Sequence, residues 1–552
     1  MKNGGSGKKR PARIGAGFLL AWKGADRIIH SRNSNKLLAL VLLIIASLPR
    51  LFFISRDIHP NGVDEGIQIM AGRMRDAGYE LYTQINTVQA PLMIAIYGAI
   101  EADPLIFRVF STAASLIIMI MVMWVGYRIG GRHVMVAAGA FSALDLMFLH
   151  ESRLASLDMF CLLWISVALM FFIKYRQSGK EWAIVLSGVA FGIGAMIKLF
   201  AVVAAGTVGI IMFLDWVNDT GFRPFARLST VSIMPERRFH GVRFIHMVLL
   251  SGAFMAVVVF IMVRFGVMDT IQGMFLNQLH RPVLPFTKKL QYFGVFLLLN
   301  LFAIPFLFLG LRPLYRRSEG VIVAVTVVFF LFFMFQATTW IHHFVFLSPG
   351  IALTAGVGII RFGNMLDSRR KRGRGRSASV RKKKRRTGRM VVYLQVILLI
   401  LVAVTGGAFS ILVKERGESA QVRAAGFIEE ITEEDDFVIS GDPMIPAMAD
   451  RPQPPPVVNV AQLKYPDITC DQLNNTTIDY GVEVVVVTYH LAEMEGYVNF
   501  VEENYVLRVR YHDNTLPFLE EANEEYSIYS LPEDSPLRND THWGEMTLPA
   551  GT

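Results

Sequence analysis

Again and again along this 552-residue chain, runs of residues pass with scarcely a charge, each close to the ~18 to 20 apolar residues that an α-helix needs to cross a bilayer. Inside lipid every backbone N–H and C=O must find its partner within the chain, so such runs can fold only as helices packed side by side. With 53% hydrophobic and 18% charged residues and a mean hydropathy of +0.42, the composition is too apolar for an ordinary soluble protein. The expected fold class is mainly α, a polytopic membrane helix bundle of about 11 spans. The spans are placed near 37–54, 104–126, 133–150, 156–173, 182–197, 199–217, 244–266, 290–311, 320–339, 343–361 and 390–412. An odd number leaves the two termini on opposite sides.

Lys and Arg set the orientation, because short cytoplasmic loops carry the positive excess. Residues 1–36 then form a basic cytoplasmic N-terminus. Together with the inner segments 127–133, 174–181, 218–243, 312–317 and 361–389 they hold most of the 55 basic residues. The loop 361–389 contains RRKRGRGRSASVRKKKRRTGR. Beside a span, such a polybasic cluster reads as a contact with anionic lipid of the inner leaflet, not as a nucleic-acid patch. Membrane lipid is thus an expected partner, nucleic acid is not, and the chain is expected in the cell membrane as a multi-pass protein.

Residues 413–552 are of another kind. Acidic side chains far outnumber basic ones there, although the whole chain carries a formal net charge of +10. The stretch is long enough for a separate domain, and the odd span count puts it outside as an acidic extracytoplasmic α/β domain. DDFVISG and VEVVVVTYH read as buried strands of a parallel sheet, QVRAAGFIEEI and AEMEGYVNFVEENY as helices, and RPQPPPVV as a rigid loop. Asn474, Asn475 and Asn539 open Asn-x-Ser/Thr sequons, compatible with an outer location. Cys161 falls in a span and Cys470 in this tail, so no disulfide framework is expected. The sequence has no Cys/His metal spacing and no internal repeat. Its basic head and first apolar run, ending in Leu48-Pro49-Arg50, read as a signal anchor and not as a cleaved leader.

Within the helical unit 37–412, the first outer loop, 55–103, is long for a plain connection, and long loops are usually functional or disordered. Residues 64–78, DEGIQIMAGRMRDAG, space Ile67, Met70, Ala71 and Met74 along one helical face, which suits a helix lying in the membrane interface. APLMIAIYGAI opens with Pro91, favoured at a first helical position, and is too short to span. Two interfacial helices would roof a cavity. Ionisable groups gather on this outer side: Asp64 and Glu65 at the start of the first helix, Asp158 at the mouth of a span with Arg153 ahead of it, and Lys198 in the tight turn of GAMIKLF. His280 and Arg281 in NQLHRP, and His342 and His343 in TTWIHHF, join them. Such groups at a membrane edge are costly and mark sites. Ordinary roles compete, since acidic residues favour helix N-termini, lysines snorkel, and Arg153 could pair with Asp158 or orient it.

A carboxylate held between lipid and a roofed pocket is partly desolvated, which makes it a better proton acceptor for a hydroxyl in contact with it. Lys198 foremost, with His280, Arg281, His342 and His343, offers the cations a phosphate needs. A lipid-linked phosphate fits this setting: its head group lies at the interface and its apolar tail can lie between spans. Carboxylate and cation beside lipid indicate group transfer from a polyprenyl phosphate. A transporter or flippase of lipid-linked sugars is the alternative, but transporters show repeat symmetry and charges near the midplane. A receptor or scaffold built on the outer domain leaves the first-loop carboxylates unexplained.

LPRLFFISRDIHPNGVDEGIQIMAGRM, GYELYTQINTVQAPLMIAIYG, SRLASLD, GIGAMIKLF and HHFVFLSPGIAL, in that order, resemble the polyprenyl-phosphate-sugar glycosyltransferases of the GT-C class. The likeness runs from about residue 37 to 362 and is greatest to the group of protein O-mannosyltransferases and lipid A aminoarabinose transferases. It implies that Asp64 is the first-loop aspartate that acts as catalytic base or orients the acceptor, with Glu65 its companion. Asp158 closes an R-x-x-x-x-D pattern begun by Arg153, and Lys198 matches the lysine near the carrier phosphate. His342 and His343 stand where the family has a basic or aromatic residue. The catalytic set implied is Asp64, Glu65 and Asp158; the carrier-phosphate set is Lys198, Arg153, His280, Arg281, His342 and His343.

Two departures matter. Ala90-Pro91 stands where many members have Pro-Pro, and the C-terminal domain is not that of eukaryotic O-mannosyltransferases. The chain also lacks a W-W-D motif and a first-loop D-x-D, which disfavours transfer of whole oligosaccharides to Asn. The reaction implied moves a monosaccharide, a mannose-type hexose, from a polyprenyl or dolichyl phosphate to a hydroxyl of a protein, lipid or glycan acceptor, with inversion. Phosphate leaves readily, so no cofactor or metal is obligatory, although a divalent metal is compatible with the chemistry.

Overall fold

The computed structural model of the chain describes residues 34–52, 54–55, 62–100, 103–220, 242–279, 281, 283–314, 317–372, 380–415, 419–459, 468–488, 491–514 and 523–537. Of the features above, the basic residues 1–33, the loop segments 221–241 and 373–379, His280 and Asn539 lie outside the described residues.

Helices dominate. The first half of the chain forms α1 (Ser34–Leu51), α2 (Gly62–Asp76), α3 (Pro91–Ala99), α4 (Pro104–Leu144), α5 (Leu146–Glu151), α6 (Leu157–Ser178), α7 (Glu181–Ala195) and α8 (Phe200–Thr220). Then come α9 (Phe244–Arg264), α10 (Phe286–Leu299), α11 (Ile304–Leu314), α12 (Gly320–Phe335), α13 (Ser348–Arg372) and α14 (Val380–Glu415). Among the described residues, six helices are long and apolar enough to cross a membrane, or seven if α10 and α11, bent by 92° at their junction, count as one broken span. A straight span over 290–311 was the expectation; the turn at Asn300 replaces it.

The stretch 133–150 also departs from a plain span. α4 runs through the expected connection at residues 127–133, interrupted only where Gly130 and Gly131 leave helical geometry, the latter at φ 68°, a backbone region that residues with a Cβ rarely adopt. It then stops at Leu144, because Asp145 turns extended and caps α5 by accepting the Phe148 N–H. That early stop brings Glu151, Arg153 and Asp158 into one short segment between two spans.

The first loop holds α2 and α3, with Pro91 at the opening of α3. α2 does not lie in a lipid interface. Met70, Ala71 and Met74 are buried in the core of the helical bundle, whereas Val63 and Ile67 belong to the core of the C-terminal domain. The helix is therefore packed between two layers of protein. The two approach so closely at Gly66 that an added Cβ would meet Met444 N at 2.2 Å.

The C-terminal domain begins with α15 (Ala420–Ile431), followed by β1 (Val438–Ser440), α16 (Met444–Met448), α17 (Cys470–Asp479), β2 (Val484–Val487), α18 (Glu495–Asn504), β3 (Val506–Asn514) and β4 (Asn523–Ser530). β1 pairs with β2 in parallel, in the register Val438 to Val484. The sheet is nevertheless mixed, in the order β1-β2-β4-β3, because β4 runs antiparallel to both β2 and β3. The wholly parallel expectation missed the last two strands: β4, buried from Tyr526 to Ser530, lies between β2 and β3, and β3 forms the more exposed antiparallel edge. Asn474 and Asn475 sit within α17, and Cys161 and Cys470 are free thiols.

Candidate functional site

Where α2, the α5–α6 connection, the α7–α8 turn and a 3-10 turn at Ile341–Leu347 meet, they line a partly open cavity. Its lining includes Asp64, Glu65, Gln68, Gln89, Glu151, Ser156, Asp158, Lys198 and His342. Asp64, in the first turn of α2, is at the rim with a side chain 57% exposed. Asp158 opens α6 behind the Ser156 cap and is buried. Its Oδ1 lies 2.6 Å from Lys198 Nζ, and the ammonium also rests 5.0 Å above the Phe200 ring centroid. Ammonium carries three donors, so Asp158 orients Lys198 and leaves it donors for a ligand.

His342 links the two carboxylates. Its Nε2 is 3.7 Å from Asp64 Oδ2 and 3.6 Å from Asp158 Oδ2, too long for direct hydrogen bonds but within electrostatic contact of both. His343 is turned into protein: its ring packs on Phe200 and Phe333, and its Nδ1 accepts the Trp340 backbone N–H. Arg281 is half-buried and within electrostatic range of His343.

Two sequence candidates are tied to other parts of the protein. Glu65 is buried in a two-pronged pair with Arg108, with Nε to Oε1 and the second guanidinium nitrogen to Oε2 both at 2.7 Å, and its Oε1 also accepts the Ala155 N–H. It ties α2 to α4 and to the α5–α6 connection. Arg153 is not among the residues lining the cavity. One of its terminal nitrogens donates to the carbonyls of Pro49, Arg50 and Phe52 at the end of α1, so it anchors the first span; the expected tie to Asp158 gives way to one with backbone carbonyls.

Arg108, Gln68, Gln89 and Glu151 were not singled out from the sequence. Arg108 carried a readable signal, a charge inside an apolar run. Glu151 stands two residues before Arg153 in LHESR; its carboxylate takes the Ser156 hydroxyl at 2.9 Å and His150 Nδ1 at 3.2 Å. Burial pushes the Glu151 carboxyl up, but the bond and charge of His150, the charge of His342 and the Ser156 bond outweigh it, holding the group below the usual carboxylate value.

A metal could be held only by Asp158, His342 and His343 among the described residues; their ligand atoms lie within 4.8 Å of one another. Asp158 Oδ1 is paired with the Lys198 ammonium and His343 Nδ1 accepts a backbone N–H. An ion on this set would sit beside the Lys198 charge, which repels it, so the fit to a cation is poor.

The profile of the dolichyl-phosphate-mannose-protein mannosyltransferase family matches residues 97–270, which contain Arg108, Glu151, Asp158 and Lys198. The fold is similar to that of ArnT from Cupriavidus metallidurans, with a TM-score of 0.57 and 13% identity in its apo state, covering 89% of this chain and 97% of that one. The same protein bound to undecaprenyl phosphate gives 0.55 and 14%, with coverages of 91% and 99%. The archaeal oligosaccharyltransferase AglB from Archaeoglobus fulgidus, in complex with an inhibitory peptide and a dolichol-phosphate, gives 0.51 and 13%, with coverages of 90% and 74%. No curated protein matches the sequence. The helical unit thus has the fold of multi-pass membrane glycosyltransferases of the GT-C type. Within it, residues 97–270 match the mannosyltransferase-family profile.

Proposed function

We propose that this protein transfers a single sugar, a mannose-type hexose, from a polyprenyl or dolichyl phosphate to an acceptor hydroxyl on the outer face of the membrane. The observation that carries the reading is the chain of groups Asp64, His342, Asp158 and Lys198 along one cavity, with an exposed carboxylate at one end and the ammonium at the other. Polyprenyl phosphates occupy two structures of similar fold, ArnT and AglB, and AglB also holds a peptide. The family profile names a dolichyl-phosphate-mannose donor. The outer placement of the cavity and of the C-terminal domain rests on the positive-inside distribution of Lys and Arg.

In this mechanism Lys198, steadied by Asp158, faces the carrier phosphate, with His342 and Arg281 nearby. Asp64 takes the proton of the acceptor hydroxyl as its oxygen attacks the anomeric carbon. The new C–O bond forms from the face opposite the phosphate, the bond to the phosphate oxygen breaks, and its electron pair leaves with the polyprenyl phosphate, so configuration inverts. The charge growing on that oxygen is stabilised by an ammonium that needs no reorganisation. Glu65 and Arg153 hold the scaffold.

The test is to incubate purified protein with a radiolabelled polyprenyl-phosphate hexose and acceptor extracts, then to measure free polyprenyl phosphate and labelled product. Wild type should form both, whereas Asp64→Asn and Lys198→Ala should form little. Equal transfer by all three proteins would refute the reading. A flippase would relocate the donor without releasing polyprenyl phosphate.

A further inference from the structure

Gln68 is the buried polar group that the mechanism above leaves unused. It lies one helical turn beyond Asp64 on α2, a spacing that puts both side chains on the same face. The residue is 3% exposed and lines the cavity, yet its Oε1 has no hydrogen-bond partner among the described residues. Buried amides are almost always satisfied, and an orphan in a native site calls for an explanation. The cavity lining also offers Gln89, Glu151 and Ser156. Those groups are amide, carboxylate and hydroxyl, which suit sugar hydroxyls and not a phosphate.

We infer that Gln68 is a specificity-determining residue that binds hydroxyl groups of the transferred sugar ring. The assignment rests on the transfer reading above. In that reaction the ring must sit between the cation on its phosphate and the base at the rim, and the polar wall with Gln68 is what remains for it to touch. A carboxamide offers one oxygen acceptor and two N–H donors, which matches two neighbouring hydroxyls, each both donor and acceptor. A site built to bond a hydroxyl rejects the analogue that lacks it, because its own polar group is then left stranded.

The experiment crosses variant with substrate. The full-length protein, the Gln68→Ala variant and the similarly sized Gln68→Met variant are given the polyprenyl-phosphate hexose and its singly deoxygenated analogues, and kcat/KM is measured for each pair. Wild type should lose about 10- to 100-fold on at least one deoxy donor. Gln68→Ala should lose about the same on the parent donor and nothing further on that deoxy donor. Gln68→Met removes a stranded polar group without opening a cavity, so it should melt no lower than wild type while showing the same loss of transfer. The inference is overturned if both variants discriminate among deoxy donors as wild type does, or if Gln68→Met loses stability and all donors suffer alike. A wild type that releases polyprenyl phosphate from no hexose donor would instead sink the transfer reading itself, and the subsite with it.

Discussion

Replacing Glu65 with alanine should damage the fold far more than its loss from a catalytic role alone would suggest. The Arg108 and Glu65 side chains are 3% and 1% exposed, and their two contacts of 2.7 Å form a forked pair. Removing one partner of such a pair leaves an uncompensated buried charge, which costs about 3–5 kcal/mol. Arg108 keeps its bonds to the Ile54 and Ser55 carbonyls, so the lower end, about 3 kcal/mol, is expected for Glu65→Ala. Substituting both members with apolar residues, Glu65→Leu with Arg108→Met, strands no charge and should cost about 1 kcal/mol or less. Unfolding of wild type, Glu65→Leu, Arg108→Met and the double variant in detergent, read by loss of helical circular dichroism, gives the double-mutant cycle. A coupling of at least about 2 kcal/mol is expected. Single losses below about 1 kcal/mol, or losses that simply add in the double variant, would refute the bracing role.

Asp64→Asn should cut transfer by about 10²- to 10⁴-fold while leaving the unfolding curve unchanged, since the side chain is more than half exposed. Gly66→Ala forces a Cβ to 2.2 Å from Met444 N; the C-terminal domain should then be released faster by limited proteolysis, with transfer falling in parallel. Chelation with EDTA should leave transfer at its full rate, because Lys198 and not an ion answers Asp158; recovery only on adding a divalent metal would contradict this. The Glu151 carboxyl is held below its ordinary value of 4.5, so its stabilising contribution is present above that value and is lost as pH falls through the lower folded value. The stability gap between wild type and Glu151→Gln should therefore narrow as pH falls below 4.5.

Hydropathy made the helical bundle legible because lipid leaves backbone groups no other solution. It was blind to where spans break. The stop at Leu144 depends on one capping aspartate, and the bend near Asn300 occurs within an apolar stretch that any window average treats as continuous. The site was half legible for a similar reason. Charges at a membrane edge announce Asp64, Asp158 and Lys198, but not which are partners: Arg153 and Glu65 look as reactive in sequence as Asp64, and only packing shows them tied to α1 and to Arg108. Gln68 gave no signal, since an uncharged amide at helical spacing is indistinguishable from any surface residue until its burial is known. The two-faced burial of α2 was hidden because Val63 and Ile67 find their neighbours nearly 400 residues later.

That separation has a consequence in time. Chains emerge from the ribosome N-terminus first, and their early parts begin to fold before the late ones exist. The helix bearing Asp64 is synthesised more than 350 residues before Met444, Val457 and the rest of its second set of neighbours. Until then the cavity wall that carries Asp64 has support on one side alone. The helical bundle can thus enter the bilayer before its cavity is braced from the second side.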